Sequence, residues 1–196
     1  MFGKTVRRTL PKYGVTVDAE IYNIDELENF SYNTDTVRIK SPIRLPEVLT
    51  AINHHSRNLD AELLFRTLGA QGYGPGSRKN AAATLKIWMA AADIDTTALR
   101  IADGSGLSRK NLITPKSLVR LLIVMHSHDY AALFLKTLPI AGQEGTLQGR
   151  MPFLPPRVQV RAKTGTLDAV STLSGYILQA EEPRFAFSLM MNHYSG

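Results

Sequence analysis

Cysteine is absent from this chain of 196 residues, which excludes disulfides and thiolate metal sites. Long apolar runs are absent as well. The longest strongly apolar stretch, Leu121 to Met125, is five residues, against the ~20 needed to span a bilayer. No apolar stretch follows Met1-Phe2-Gly3-Lys4-Thr5, so no secretory signal is visible and the start reads at face value as cytoplasmic. No GxxxxGK[ST] phosphate loop occurs; the nearest run, Gly74 to Lys79, has the wrong spacing. Nor is there an HExxH zinc helix. His54 and His55 are adjacent, so on a helix they point about 100° apart and make a poor metal pair. Ser105 lies between Gly104 and Gly106, but Asp103 stands where GxSxG requires its first glycine, and the run reads as a tight turn.

What is present is ordinary for a soluble globular chain. An apolar fraction of 44% with 20% charged residues excludes wholesale disorder, and the length suffices for one domain with a hydrophobic core. The net charge of +6 raises nucleic acid, anionic lipid or an acidic polymer as partners. The basic residues are scattered, with their tightest cluster at Lys4 to Arg8 and no aromatic-interleaved stripe, so no nucleic-acid partner is expected.

Periodicity divides the chain. In the first forty residues Val15 and Val17 alternate with Thr16 and Asp18, and Thr36 to Lys40 alternates again, as short half-buried strands do. Asn23 to Asn33 between them is polar and turn-like. Four amphipathic helices are predicted next, within about 42–138. The first carries Leu45, Val48, Leu49 and Ile52, with Pro46 near its start. The second carries Ala61, Leu64, Phe65 and Leu68 and stops at Gly69. The third carries Leu85, Trp88, Met89 and Ala92. The fourth carries Leu118, Leu121, Leu122 and Met125, opened by Thr114-Pro115. After a Gly- and Pro-rich stretch the period becomes two, with strands expected between about 157 and 192: Val158 to Ala162, Leu173 to Leu178 and Arg184 to Met191. Helices first and consecutive strands last predict an α+β domain with an antiparallel sheet packed against helices. The last strand ends close to Gly196 with no closing element, so a further C-terminal piece is expected.

Two short motifs are informative in combination: Ser56-Arg57-Asn58, between the first two helices, and Lys163-Thr164-Gly165-Thr166, at a strand end. SxxK, SxN and KTG form the motif set of β-lactamases and penicillin-binding proteins. Taken singly each has a plain structural reading, Asn58 as an N-cap for Leu59 to Leu68 and Lys-Thr-Gly as a turn. Their order and surroundings add specificity. SxN is followed by Leu59-Asp60-Ala61-Glu62-Leu63-Leu64-Phe65-Arg66, then Ala102-Asp103-Gly104-Ser105-Gly106-Leu107-Ser108-Arg109, then Leu138-Pro139-Ile140-Ala141-Gly142 and Gly145-Thr146-Leu147, and last Lys163-Thr164-Gly165-Thr166-Leu167.

From about residue 10 to the end, this series resembles the low-molecular-mass class C penicillin-binding proteins, the penicillin-binding protein 4 type of D-Ala-D-Ala carboxypeptidase and endopeptidase. The resemblance implies a β-lactamase/penicillin-binding-protein transpeptidase-like fold, no cofactor or metal, a periplasmic location, and two partners: peptidoglycan stem peptides ending in D-Ala-D-Ala, and β-lactams. One departure is large. No serine of this chain has a lysine three residues on. The SxxK nucleophile and the domains the family inserts after it are therefore missing, and the chain reads as the C-terminal part of one penicillin-binding domain that has lost its natural beginning. By the same resemblance Ser56 would relay a proton to the leaving amine, Asn58 would bind the substrate amide, and Lys163 would supply positive potential beside Ser56. Thr164 and Thr166 would hold the terminal carboxylate, and the Thr166 N–H, next to Gly165, would be one oxyanion donor. The alternative is a non-catalytic peptidoglycan-binding remnant or partner module that keeps only the substrate-holding half.

Overall fold

A computed structural model describes residues 7–16 and 43–194. The chain divides into two compact units, Met1–Lys40 and Ser41–Gly196. In the first, a short helical turn ends in a 3-10 helix, Leu10–Tyr13, closed by Gly14 in the left-handed conformation. The strand expected at Val15 and Val17 runs out of the described residues after Thr16, with Val15 itself exposed outside any strand; the Asn23 to Asn33 turn and the strand at Thr36 to Lys40 also lie outside them.

The second unit holds the predicted helices. Helix α1, Leu45–His55, starts with proline in its first turn and ends at Ser56 in the left-handed region, φ 52° and ψ 49°. Helix α2, Asn58–Tyr73, follows after two intervening residues, Ser56 and Arg57. Arg57, not Asn58, occupies the N-cap, and its guanidinium pairs with Asp60 at 2.8 Å. Asn58 is thus the first helical residue and does not cap the helix.

Helix α2 also runs through Gly69 instead of stopping there. Gly69 is a close-approach residue: a β-carbon would sit 2.8 Å from both the Ala81 nitrogen and the Ser77 carbonyl oxygen of the next helix. That helix, α3, spans Arg78–Ala91 and is capped by the Ser77 side chain, which accepts from the Asn80 N–H. Ala81 is fully buried in this crossing. Gly69→Ala is therefore expected to destabilise the unit by about 1–3 kcal/mol through overpacking, despite alanine's better helix propensity. A thermal melt that stays put or rises would contradict the reading of this contact.

Helix α4, Pro115–His126, is capped by Thr114, which accepts from the Ser117 N–H at 3.0 Å. A seven-residue helix that the periodicity did not reveal, α5, spans Ala131–Thr137 and lacks a side-chain cap. It packs on α1, and Asn53 Nδ2 donates to Thr137 Oγ1 at 2.8 Å.

The sheet is β1 Val158–Leu167, β2 Val170–Gln179 and β3 Glu182–Asn192, antiparallel in the order β1-β2-β3. Ala180 and Glu181 turn the second hairpin, both at positive φ, as a two-residue loop between twisted strands requires. One face of the sheet carries Tyr176 and Leu178 onto Leu122 and Leu138, and the Tyr176 hydroxyl donates to the Leu122 carbonyl at 2.6 Å. Burial pushes that phenol up to about 12. The other face packs Val160, Ala162 and Leu173 on Ala141 and Leu147.

The segment Pro139–Ala141 pairs with the first half of β1 on the side away from β2: Ala141 N donates to Val160 O at 2.9 Å, and Ala162 N to Pro139 O at 3.2 Å. This isolated bridge ends at Ala162. Lys163 to Thr166 lie beyond it but still inside β1, since the ladder with β2 runs on to Leu167 and Val170. The motif therefore lies at the end of β1, inside the strand and not in a turn. No helix among the described residues is long and apolar enough to cross a membrane.

Candidate active site

In an antiparallel strand the backbone groups of alternate residues point to the same edge. Val160 and Ala162 bond outward to the Pro139–Ala141 segment, so Thr164 and Thr166 present their N–H and C=O groups to that same outer edge. Side chains alternate as well, which sends Lys163 to one face of β1 and Thr164 to the other. Each finds a partner at the edge.

Half-buried Lys163 donates from Nζ to Ser56 Oγ at 2.9 Å and to its neighbour's carbonyl, Thr164 O, at 2.7 Å. Burial holds the Lys163 pKa below the ordinary lysine value. Ser56 is exposed at the turn between α1 and α2, where its left-handed backbone aims the side chain at β1. On the opposite face Thr164 Oγ1 donates to Thr146 Oγ1 at 2.8 Å. Thr146 belongs to a 3-10 turn, Gly145–Leu147. Gly145 at φ 50° lies so close to the end of α1 that a β-carbon would run into the His54 carbonyl. Gly165 has a related constraint, because a β-carbon there would meet the Thr172 hydroxyl across the ladder.

Of the residues singled out in the sequence, Ser56 and Thr164 are each joined directly to Lys163, the second through its backbone carbonyl. Exposed Asn58, in the first turn of α2, and exposed Thr166 make no side-chain hydrogen bond among the described residues. Thr146, which the sequence offers only within the run Gly145-Thr146-Leu147, is brought to the strand edge by its contact with Thr164.

A second cluster braces the first. The run Asp103 to Ser108 is a turn organised by Asp103, whose carboxylate accepts from Gly106 N at 2.7 Å, Ser108 N at 2.9 Å and Asn111 Nδ2 at 3.0 Å. Burial opposes ionisation of Asp103, but these three donors outweigh it and hold its pKa below the ordinary carboxylate value. Ser105 accepts from Leu107 N at 3.3 Å, inside a turn with no helix behind it. The turn is fastened to α2 by Glu62, which accepts from Gly104 N at 2.8 Å. It reaches the β1–β2 hairpin through Arg109, which donates to Asp168 O at 2.8 Å.

The profile of the D-Ala-D-Ala carboxypeptidase 3 (S13) family matches residues 1–196. The chain belongs to this family.

Among its relatives is the D-alanyl-D-alanine carboxypeptidase of Actinomadura sp. (strain R39), 32% identical over 99% of this chain and 37% of the relative. Another is the D-alanyl-D-alanine carboxypeptidase DacB of Haemophilus influenzae, 35% identical over 77% of this chain and 32% of the relative. The penicillin-binding protein 4 of H. influenzae, solved with and without a β-lactam, is similar in three dimensions. The complex superposes with a TM-score of 0.67 at 33% identity, over 77% of this chain and 36% of that one. The chain thus spans about a third of the length of these S13 relatives, and carries a corresponding portion of the α+β penicillin-binding-protein fold.

Proposed function

We propose that this chain supplies the leaving-group and carboxylate side of a serine-type D-Ala-D-Ala carboxypeptidase site acting on peptidoglycan stem peptides, with endopeptidase cleavage of cross-links as a related use. The observation that carries the reading is the 2.9 Å hydrogen bond from Lys163 Nζ to Ser56 Oγ. Because Ser56 accepts the lysine proton, its own O–H is left to donate, which is what a departing amine requires. Lys163, its pKa lowered by burial, can in turn make good the proton that Ser56 gives up. The same ammonium favours negative charge developing on the scissile carbonyl.

In this reading an activated serine attacks the peptide carbonyl, the C–N bond breaks, D-alanine leaves with the proton from Ser56, and water releases the acyl-enzyme. The outward-facing Thr166 N–H is one oxyanion donor, Asn58 binds the substrate amide, and the Thr164 and Thr166 positions face the terminal carboxylate. A β-lactam acylates the same serine in place of the substrate. The attacking serine is not one of this chain's SxN or KTG residues, and none of its serines has a lysine three residues on. A periplasmic setting, where the wall substrate lies, belongs to the same reading.

Gel labelling with a fluorescent penicillin tests it. The chain alone should remain unlabelled, and adding a polypeptide that bears the SxxK serine should produce labelling of that polypeptide. Labelling of this chain alone would overturn the placement of the nucleophile. No labelling in the mixture would favour the non-catalytic binding module.

A further inference from the structure

Counting protons at the β1 edge changes the assignment of the carboxylate contact within the proposed site, on which this inference rests. A carboxylate only accepts, so each group facing it must have a hydrogen to give. Lys163 has three and uses two, on Ser56 Oγ and Thr164 O. Thr164 has one, and it is directed at Thr146 Oγ1. The Thr164 hydroxyl therefore has only lone pairs left, which repel an anion. Thr146 accepts that bond and keeps its own O–H.

We infer that Thr146 is a substrate-binding residue of this site, and that its hydroxyl is the side-chain donor through which the Thr164–Thr146 pair holds the C-terminal carboxylate of a D-Ala-D-Ala peptide. The position is built, not incidental. On one side Gly145 rests against the end of α1 with no room for a β-carbon. Before it, Glu144 accepts from Ile140 N at 3.0 Å, tying the turn to the segment that edges β1. On the other side Leu147 is fully buried, and its carbonyl accepts from Gly142 N at 2.9 Å. Thr146 alone of the three is exposed, held between fixed neighbours with its oxygen at the strand edge. Such preorganisation lowers the entropy lost when a ligand group docks. Thr146 thereby sets the preference for a free C-terminal acid over a blocked one.

The test is an NMR titration of the full chain with N-acetyl-D-Ala-D-Ala and with its C-terminal amide. The wild-type chain should bind the acid more tightly than the amide. Thr146→Val should weaken the acid about 10-fold, the usual size of a lost hydrogen bond to a charged group, and leave the amide unaffected. Thr146→Ser, which keeps the hydroxyl, should restore the preference, and an otherwise unchanged spectrum verifies folding of both variants. An acid-to-amide ratio that is the same in Thr146→Val as in wild type overturns the assignment and leaves the substrate-holding reading standing. A wild-type chain that binds both peptides equally well also overturns it. Binding of neither at millimolar concentration overturns the underlying reading, and this assignment with it.

Discussion

Replacing Lys163 with methionine should slow acylation of an added SxxK polypeptide by about 10²–10⁴-fold, the range spanned by losing a positioned proton donor and by losing an electrostatic contact in the transition state. Methionine keeps most of the length and the apolar stem of lysine, so the half-buried position stays filled. What it removes is the ammonium that touches both Ser56 Oγ and Thr164 O. Ser56 then has no replacement for the proton it gives away, and the carbonyl oxygen of Thr164 loses its side-chain partner. Arginine is not a conservative alternative. Its guanidinium is planar and far harder to deprotonate, whereas burial holds the Lys163 pKa below its usual value. Lys163→Arg should therefore bind ligand carboxylate better than Lys163→Met but acylate little faster. Time-resolved penicillin labelling across a pH series separates the two. A Lys163→Met variant that labels the partner polypeptide at the wild-type rate would remove Lys163 from the mechanism.

The parts of this architecture that were legible in the sequence are those governed by local period. Leu45, Val48, Leu49 and Ile52 mark α1, and Thr114-Pro115 marks the start of α4, because one helix face and one cap need only a few neighbouring residues to declare themselves. The three strands were legible for the same reason. Residues whose role is tertiary were misread. Gly69 looks like a helix stop, yet it is a contact point for a second helix that crosses it. Asn58 looks like a cap, yet the left-handed Ser56 shortens the connection and moves the cap back to Arg57. Helix α5 is too short to produce a period of its own, and it has no side-chain cap to announce its start. The approach of Lys163 to Ser56 spans 107 positions; no spacing rule yields it, and only the family resemblance suggested it. Thr146 stayed hidden because the donor sense of its bond with Thr164 exists only once the turn and the strand are folded together.

Acid sensitivity should be centred on Glu62, and Glu62→Ala should be the most destabilising surface-proximal change in the second unit, at about 2–4 kcal/mol. The carboxylate is only 14% exposed and takes Arg66 Nε at 2.9 Å and Arg78 Nε at 2.6 Å on one oxygen, while the other takes the Gly104 N–H. Burial alone would raise its pKa, but the Gly104, Arg78 and Arg66 donors outweigh burial and bring it from 4.5 down to about 2. Between these values the unfolded chain binds the proton and the folded chain does not, so stability rises with pH through that window. The contribution is complete above about pH 4.5 and is lost as the pH falls towards 2. In Glu62→Gln the amide oxygen can still accept from Gly104, but the charge is gone. It should lose part of the stability at neutral pH and most of the extra acid dependence between pH 4.5 and 2. Urea melts of the wild type and Glu62→Gln over pH 2 to 7 read both effects. Parallel curves for the two proteins across the acid window would show that Glu62 does not set the acid limit. The consequence reaches the site, because Glu62 fastens the Asp103 turn to α2, and the far end of that turn holds Asp168 in the β1–β2 hairpin through Arg109. Loss of the brace in acid should therefore loosen the strand end carrying Thr166 before the sheet itself unfolds, with amide exchange at Gly104 and Ser108 rising ahead of exchange in β2.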